Sequence, residues 1–167
     1  LANVGSNYLN SGKAPKRWGN AHANIVPYQT FACLDGHIIV AAGNDGQYQK
    51  FVEAGGRPEL AFDARFATNP LRVQHRDVLV PLLADMVVEK TRAAWIALLE
   101  EHGVPCGPIN DVGEVFANEQ VQARGMAIKL PHSEAGHVKL VRNPIRMSAT
   151  PATSNVAPPL LGQHTDD

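Results

Sequence analysis

An α+β fold is expected for these 167 residues, and three observations carry that expectation. Two short apolar runs flank Asp35-Gly36, a strong hairpin-turn signal. Helical patterns with marked ends fill the stretch from Asn44 to Gly103, and a second pair of short apolar runs lies on either side of Ser133–Gly136. Short antiparallel strands with several helices follow from that order.

Taken along the chain, residues 1–24 are rich in Gly, Asn, Ser and Lys and are expected to be a loop or detached arm. Tyr28–Leu34 and His37–Ala42 read as strands. Asn44 or Asp45 caps a helix whose Tyr48, Phe51 and Val52 fall at i, i+3 and i+4 and which ends at Gly55-Gly56. A single turn is expected near Leu60–Phe66. Leu71–Glu89 carries the paired stripe Val78/Leu79, Leu82/Leu83 and Met86/Val87, with Pro81 inside it. A proline there either kinks the helix or requires it to begin at Asp77 as its cap. Thr91 caps the next helix, which buries Trp95, Ile96, Leu98 and Leu99 and stops at Gly103. Val104–Ile109 is too proline-rich for a central strand and reads as an edge. Asp111 and Glu114 form a capping-box pattern opening a helical stretch to Arg124-Gly125, and Met126–Leu130 with Val138–Val141 read as a second strand pair. Ser148–Pro159 has a linker composition. It delivers the chain to Leu160-Leu161-Gly162 and then Thr165-Asp166-Asp167, residue types that begin a helix, so the next element is expected to belong to a further domain.

With 44% apolar residues the chain can bury one core. A net charge of -1, from 15 basic and 16 acidic residues, gives no electrostatic ground for nucleic acid or an anionic membrane surface as partner. The local cluster Lys13, Lys16 and Arg17 is either a solvated loop or a contact for a ligand phosphate. Cys33 and Cys106 lie far apart with no C-x-x-C pair, so reduced thiols and a cytoplasmic location are the simplest reading. No apolar run approaches the ~20 residues that span a bilayer, and the first residues lack a signal-peptide pattern. Leu1 in place of an initial Met hints at truncation, which processing also produces.

The seven histidines make no H-x-x-x-H or H-E-x-x-H spacing, and G-x-S-x-G, P-loop and Rossmann fingerprints are absent, so no metal or other resident cofactor is expected. His37 and His137 fall in strands, His75 and His102 on helices. Asn44-Asp45-Gly46-Gln47 offers a helix N-terminus, yet the Asp45 carboxylate would compete for the same amides, which favours a capping role. Asp111 and Glu114 are better explained as cap and capping box, and Cys106 has no nearby base in sequence to make it a nucleophile. His22 keeps two readings, structural or substrate-facing. Its neighbours Gly19, Ala21 and Ala23 are small enough for backbone amides to approach a bound group.

The order Gly19-Asn20-x-His22, Pro27-Tyr28, Phe31, Asp35-Gly36 and Gly43-Asn44-Asp45 resembles the middle of the family III CoA-transferases, the CaiB/BaiF-like group that includes the 2-methylacyl-CoA racemases. Further matches are Gly103-Val104-Pro105-Cys106-Gly107-Pro108, Val121-x-Ala123-Arg124-Gly125-Met126, Asn143-Pro144-Ile145-Arg146 and Pro158-Pro159-Leu160-Leu161-Gly162-Gln163-His164-Thr165, so the likeness covers nearly the whole chain. A complete member is much longer. The resemblance implies a carboxy-terminal portion: an arm with a glycine-containing loop at 1–24, a small α+β domain at 25–147, and a linker at 148–167 returning toward a large CoA-binding domain. It implies transfer of CoA between carboxylic acids, or racemisation of an acyl-CoA, with CoA or acyl-CoA as substrate. The aspartate nucleophile of the transferases and the His/Asp pair of the racemases would lie in the amino-terminal half, so no catalytic residue is assigned here and this portion alone is expected to be inactive. Gly19–Tyr28 would be the counterpart of a loop that closes over the thioester, and Gly19, Asn20, His22, Pro27 and Tyr28 are the candidate substrate-binding residues. His22, Asn24 and Ile25 depart from the most glycine-rich versions of that loop. An interlocked homodimer is implied, leaving Leu1, Tyr8, Leu9, Ile145, Leu160 and Leu161 uncovered in a lone copy. The rival reading is a self-sufficient binding or interaction module sharing the small-domain fold.

Overall fold

The computed structural model describes residues 2–152 and 156–165. Leu1, and the helix start expected at Asp166-Asp167, lie outside the described residues. Contacts gather into two compact units, Leu1–Ile109 and Asn110–Asp167, whose boundary falls within the span 25–147 expected to form one domain.

The first unit opens with a difference from expectation. Residues 2–11 form helix α1 (Ala2–Ser11), where a loop is expected, although none of its residues is buried. Local bonds account for it: Asn10 Nδ2 donates to the Ser6 carbonyl and Ser11 Oγ to that of Asn7, filling acceptors at the helix end that would otherwise face water. Strands β1 (Tyr28–Cys33) and β2 (Gly36–Ala41) then pair antiparallel across Asp35-Gly36, as the turn signal predicts. Phe31, Cys33, Ile38 and Val40 alternate onto one buried face. Strand β3 (Cys106–Pro108) joins β2 at the sheet edge, where its proline needs no ladder partner.

Helix α2 (Asp45–Ala54) is capped by Asn44, whose side chain accepts from the Gln47 amide, and it buries Tyr48, Phe51 and Val52 completely. Its two terminal glycines serve different ends. Gly56 takes φ +81, which favours glycine, while Gly55 is helical and lies against the Met86 side chain, with no room for a Cβ. A short α3 (Glu59–Phe62) follows. The stretch expected as one helix from Leu71 to Glu89 is two, α4 (Asn69–Gln74) and α5 (Arg76–Val87), separated at His75, so Asp77 lies in the first turn and is not the cap. Pro81 sits within α5 on its exposed side. Helix α6 (Arg92–Glu101) is capped by Thr91 and buries Trp95 and Leu99, with Trp95 Nε1 donating to the Val87 carbonyl. α5 packs on β1, α6 on β2 and β3, and α2 on α6, closing a core around Phe51 and Trp95, whose rings meet at 6.0 Å.

The second unit contains α7 (Val112–Ala117), α8 (Glu119–Ala123) and the antiparallel pair β4 (Ala127–His132) and β5 (Gly136–Val141). The capping box is present in both directions between Asp111 and Glu114. The single helical stretch expected from it breaks at Asn118, which is extended and caps α8 through bonds from the Gln120 and Val121 amides. Leu130 is its buried apolar residue among those described, and an open groove of about 810 Å³ runs past Ile128, Leu130, Leu140, Val141 and Val156. Tyr8, Leu9, Ile145 and Leu161 are exposed as expected; Leu160 is half-buried instead.

Candidate functional site

The loop from Trp18 to Tyr28 is built on its backbone. Gly19 has φ +60 with open space on its Cβ side, a geometry that a branched side chain would strain. Asn20 is anchored by its side chain, whose Oδ1 accepts from the Thr30 amide at 3.0 Å. Ala21 donates to the Trp18 carbonyl and His22 to that of Tyr28, so two of the amides that small neighbours leave accessible are already engaged.

His22 is half-buried, and its ring stacks on Tyr28 with centroids 5.3 Å apart and planes 10° from parallel. Nδ1 accepts from the Asn24 amide at 3.1 Å and the Asn3 side-chain amide lies 3.3 Å from Nε2, which together fix the orientation of the ring. A hydrogen-bonded imidazole with a fixed orientation can offer one N–H to an oxygen. Pro27 is buried behind it, following a cis Val26-Pro27 bond, and its carbonyl accepts from the Ala42 amide. Tyr28 is 37% exposed. Of the five candidate residues, then, Gly19, Asn20 and Tyr28 lie at the surface, His22 lies half-buried against Tyr28, and Pro27 lies inside.

Beneath the loop sit the buried charges that the sequence reading missed, Arg72 and Arg76. Arg72 donates from Nε to the Val26 carbonyl, from Nη1 to that of Phe66 and from Nη2 to Asp45, and its guanidinium lies 4.4 Å from the Tyr48 ring centre. Asp45 also accepts from the Asn69 amide, so its carboxylate is an ion-pair partner, and the capping role belongs to Asn44. Asn69 in turn donates to the Asn24 carbonyl and accepts from the Val26 amide. Arg76 donates from Nη2 to the carbonyls of His22 and Ala23 and stacks 4.2 Å from the Trp18 ring centre. The signal available in sequence was two arginines on the buried side of an amphipathic segment, four residues apart.

Of the remaining candidates, the basic cluster adjoins the loop. Lys13 and Lys16 line a cavity of about 220 Å³ with Asn7, Trp18 and Asn24. Burial pushes the Cys33 and Cys106 thiols up, away from the reactive thiolate. No three His, Cys, Asp or Glu side chains gather as a metal site among the described residues, and none of the described helices is long and apolar enough to cross a membrane. His102 closes α6, its Nδ1 2.8 Å from the Leu98 carbonyl.

The model of CoA-transferase family III matches residues 1–165. The chain belongs to that family. Among its CoA-transferase relatives, the succinyl-CoA:glutarate CoA-transferase of Mus musculus is 40% identical over 99% of this chain and 38% of its own length. The succinate–glutarate CoA-transferase of Agrobacterium fabrum is 40% identical over 98% of this chain and 41% of its own. A CaiB/BaiF family protein from Brucella suis, whose crystal structure is known, is 48% identical and superposes with a TM-score of 0.81 over 98% of this chain and 42% of that one. The chain therefore spans about two fifths of the CoA-transferase family III proteins it matches.

Proposed function

We propose that this chain is the carboxy-terminal portion of an enzyme that moves CoA from an acyl-CoA to a free carboxylic acid, with dicarboxylic acids as the acyl partners. One observation carries the reading: near-complete alignment at 40% identity with proteins that exchange CoA between succinate and glutarate. In the reaction, an enzyme carboxylate attacks the thioester and releases CoA as thiolate. The thiolate then attacks the enzyme carbonyl of the resulting anhydride, expelling the donor acid as carboxylate. The incoming carboxylate displaces CoA thiolate from the enzyme thioester to form a second anhydride, and the thiolate takes the new acyl group, freeing the enzyme carboxylate. Each step passes through an oxyanion that N–H donors stabilise, by about 3 kcal/mol for one well-placed donor. The attacking carboxylate lies outside this chain.

The contribution of this portion is one wall of the acyl pocket, formed by Gly19, Asn20, His22 and Tyr28 and backed from inside by Pro27. Stacking on Tyr28 holds the His22 ring in place, and the turn at Gly19 is open to solvent on its Cβ side. The large domain of a second subunit completes the site in an interlocked homodimer, a cytoplasmic enzyme with no resident cofactor. The test is direct. The full-length protein should convert succinyl-CoA and glutarate to glutaryl-CoA and succinate, and the 167-residue chain alone should not. His22→Ala and Gly19→Val should each lower turnover about tenfold or more while the fold persists. Exchange of an acyl-CoA alpha proton in deuterated water without acyl transfer would assign the enzyme to the racemases instead. Transfer that survives both substitutions would remove the loop from the pocket, and neither reaction in the full-length protein would leave the binding-module reading in its place.

A further inference from the structure

Asn69, Arg72 and Arg76 are spaced i, i+3 and i+7 along α4 and α5, and all three reach the same short segment of the loop. Between them they take the carbonyls of His22, Ala23, Asn24 and Val26 and the Val26 amide. The two arginines are unequal. Arg72 is fully buried, places Nε, Nη1 and Nη2 on three acceptors, and has its charge matched by Asp45. Arg76 is 9% exposed, bonds through Nη2 alone, leaves Nε buried without a partner, and forms no ion pair among the described residues.

A buried guanidinium that leaves a donor unused is costly, and Arg76 carries that cost where Arg72 does not, while both of its bonds go to the loop main chain. We propose that Arg76 is a positioning residue: it holds the carbonyls of His22 and Ala23, with Trp18 laid on its guanidinium, so that the loop presents His22 in one orientation. Arg72 and Asn69 fasten the base of the loop at Val26; Arg76 sets its outer half. This rests on reading the loop as a wall of the acyl pocket. Because the contacts run to main-chain oxygens, Arg76 acts through the path of the loop and touches no reacting atom.

The experiment uses Arg76→Lys and Arg76→Met in the full-length enzyme. Hydrogen–deuterium exchange is read by mass spectrometry on peptides covering residues 17–30 and residues 31–41, alongside steady-state kinetics with succinyl-CoA and glutarate. Exchange over 17–30 should quicken about tenfold or more in Arg76→Met, since the two bonds that fix the segment are gone, with 31–41 unchanged. kcat should fall by a similar factor with KM little moved, and Arg76→Lys, which keeps the charge and one donor direction, should lie between. Unaltered exchange over 17–30 in both variants would overturn the proposal. Equal acceleration over both peptides would also overturn it, by making Arg76 a general stabiliser. Faster loop exchange with unchanged kinetics would uphold the clamp while removing the loop from the pocket.

Discussion

Arg72 shows how much one side chain can organise: its three bonds tie the loop at Val26, the turn at Phe66 and the start of α2 at Asp45. Replacing it with Met keeps the aliphatic bulk but takes the Arg72 donor from two carbonyls and the ion-pair partner from Asp45. The expected loss is about 3 kcal/mol of unfolding free energy, read from urea denaturation at neutral pH. Tyr48 gives a second handle at this scale. Its hydroxyl donates to the Leu60 carbonyl at 2.9 Å, and burial pushes the phenol from 10.0 up to about 12. Above pH 10 the unfolded chain releases this proton while the folded chain keeps it, so stability should fall with rising pH by ~1.4 kcal/mol per unit until the folded value is passed. Tyr48→Phe should flatten that alkaline limb, at a cost of ~1 kcal/mol near neutrality from the lost bond. An unchanged alkaline slope in the variant would locate the titration elsewhere.

At the scale of elements, the terminal glycines of α2 separate two reasons for the same residue type. Gly56→Ala should cost ~1 kcal/mol through its left-handed backbone. Gly55→Ala should cost more, ~1–3 kcal/mol, because the new methyl meets buried Met86, and Met86→Ala should relieve part of that penalty in a double-mutant cycle of thermal melts. Strict additivity would show that the two residues do not compete for space. Elements whose signal is local were legible in the sequence: the Asp35-Gly36 hairpin, the Thr91 cap, the capping box at Asp111, and the buried triplet of α2, while the α2 cap was narrowed only to Asn44 or Asp45. Helix α1 was not legible, because it buries nothing and its bonds come from Asn and Ser, residues that ordinarily mark loops. The breaks at His75 and Asn118 were hidden by apolar spacing that continues through them. In the site, glycine and histidine positions announced the loop, whereas its fastenings could not be read. They join residues about 45 to 55 positions apart through side chain to main chain bonds, which leave no periodic trace.

At the scale of the molecule, the two units differ in kind. Unit 1 encloses a core of aromatic and branched side chains, while Leu130 is the buried apolar residue of unit 2 among those described, and Ile145, Met147, Val156 and Leu161 are exposed. On the homodimer reading proposed above, these residues pack against a partner. The isolated chain should therefore bind a hydrophobic dye and self-associate in sedimentation, with amide exchange slowest in β1 and β2 and faster in α7, α8, β4 and β5. A strictly monomeric species with uniform protection would contradict it. The loop clamp carries a different consequence, for how members of a family can diverge. Asn69, Arg72 and Arg76 grip the main chain, whose atoms are common to every amino acid, and ask nothing of the side chains at positions 21, 23 and 25. The clamp thus leaves the side chains at those three positions free to vary, while Gly19, Asn20 and His22 still shape the loop themselves. Ala21, Ala23 and Ile25 should accept other residues with little change in melting temperature, since the bonds that hold the segment do not involve their side chains.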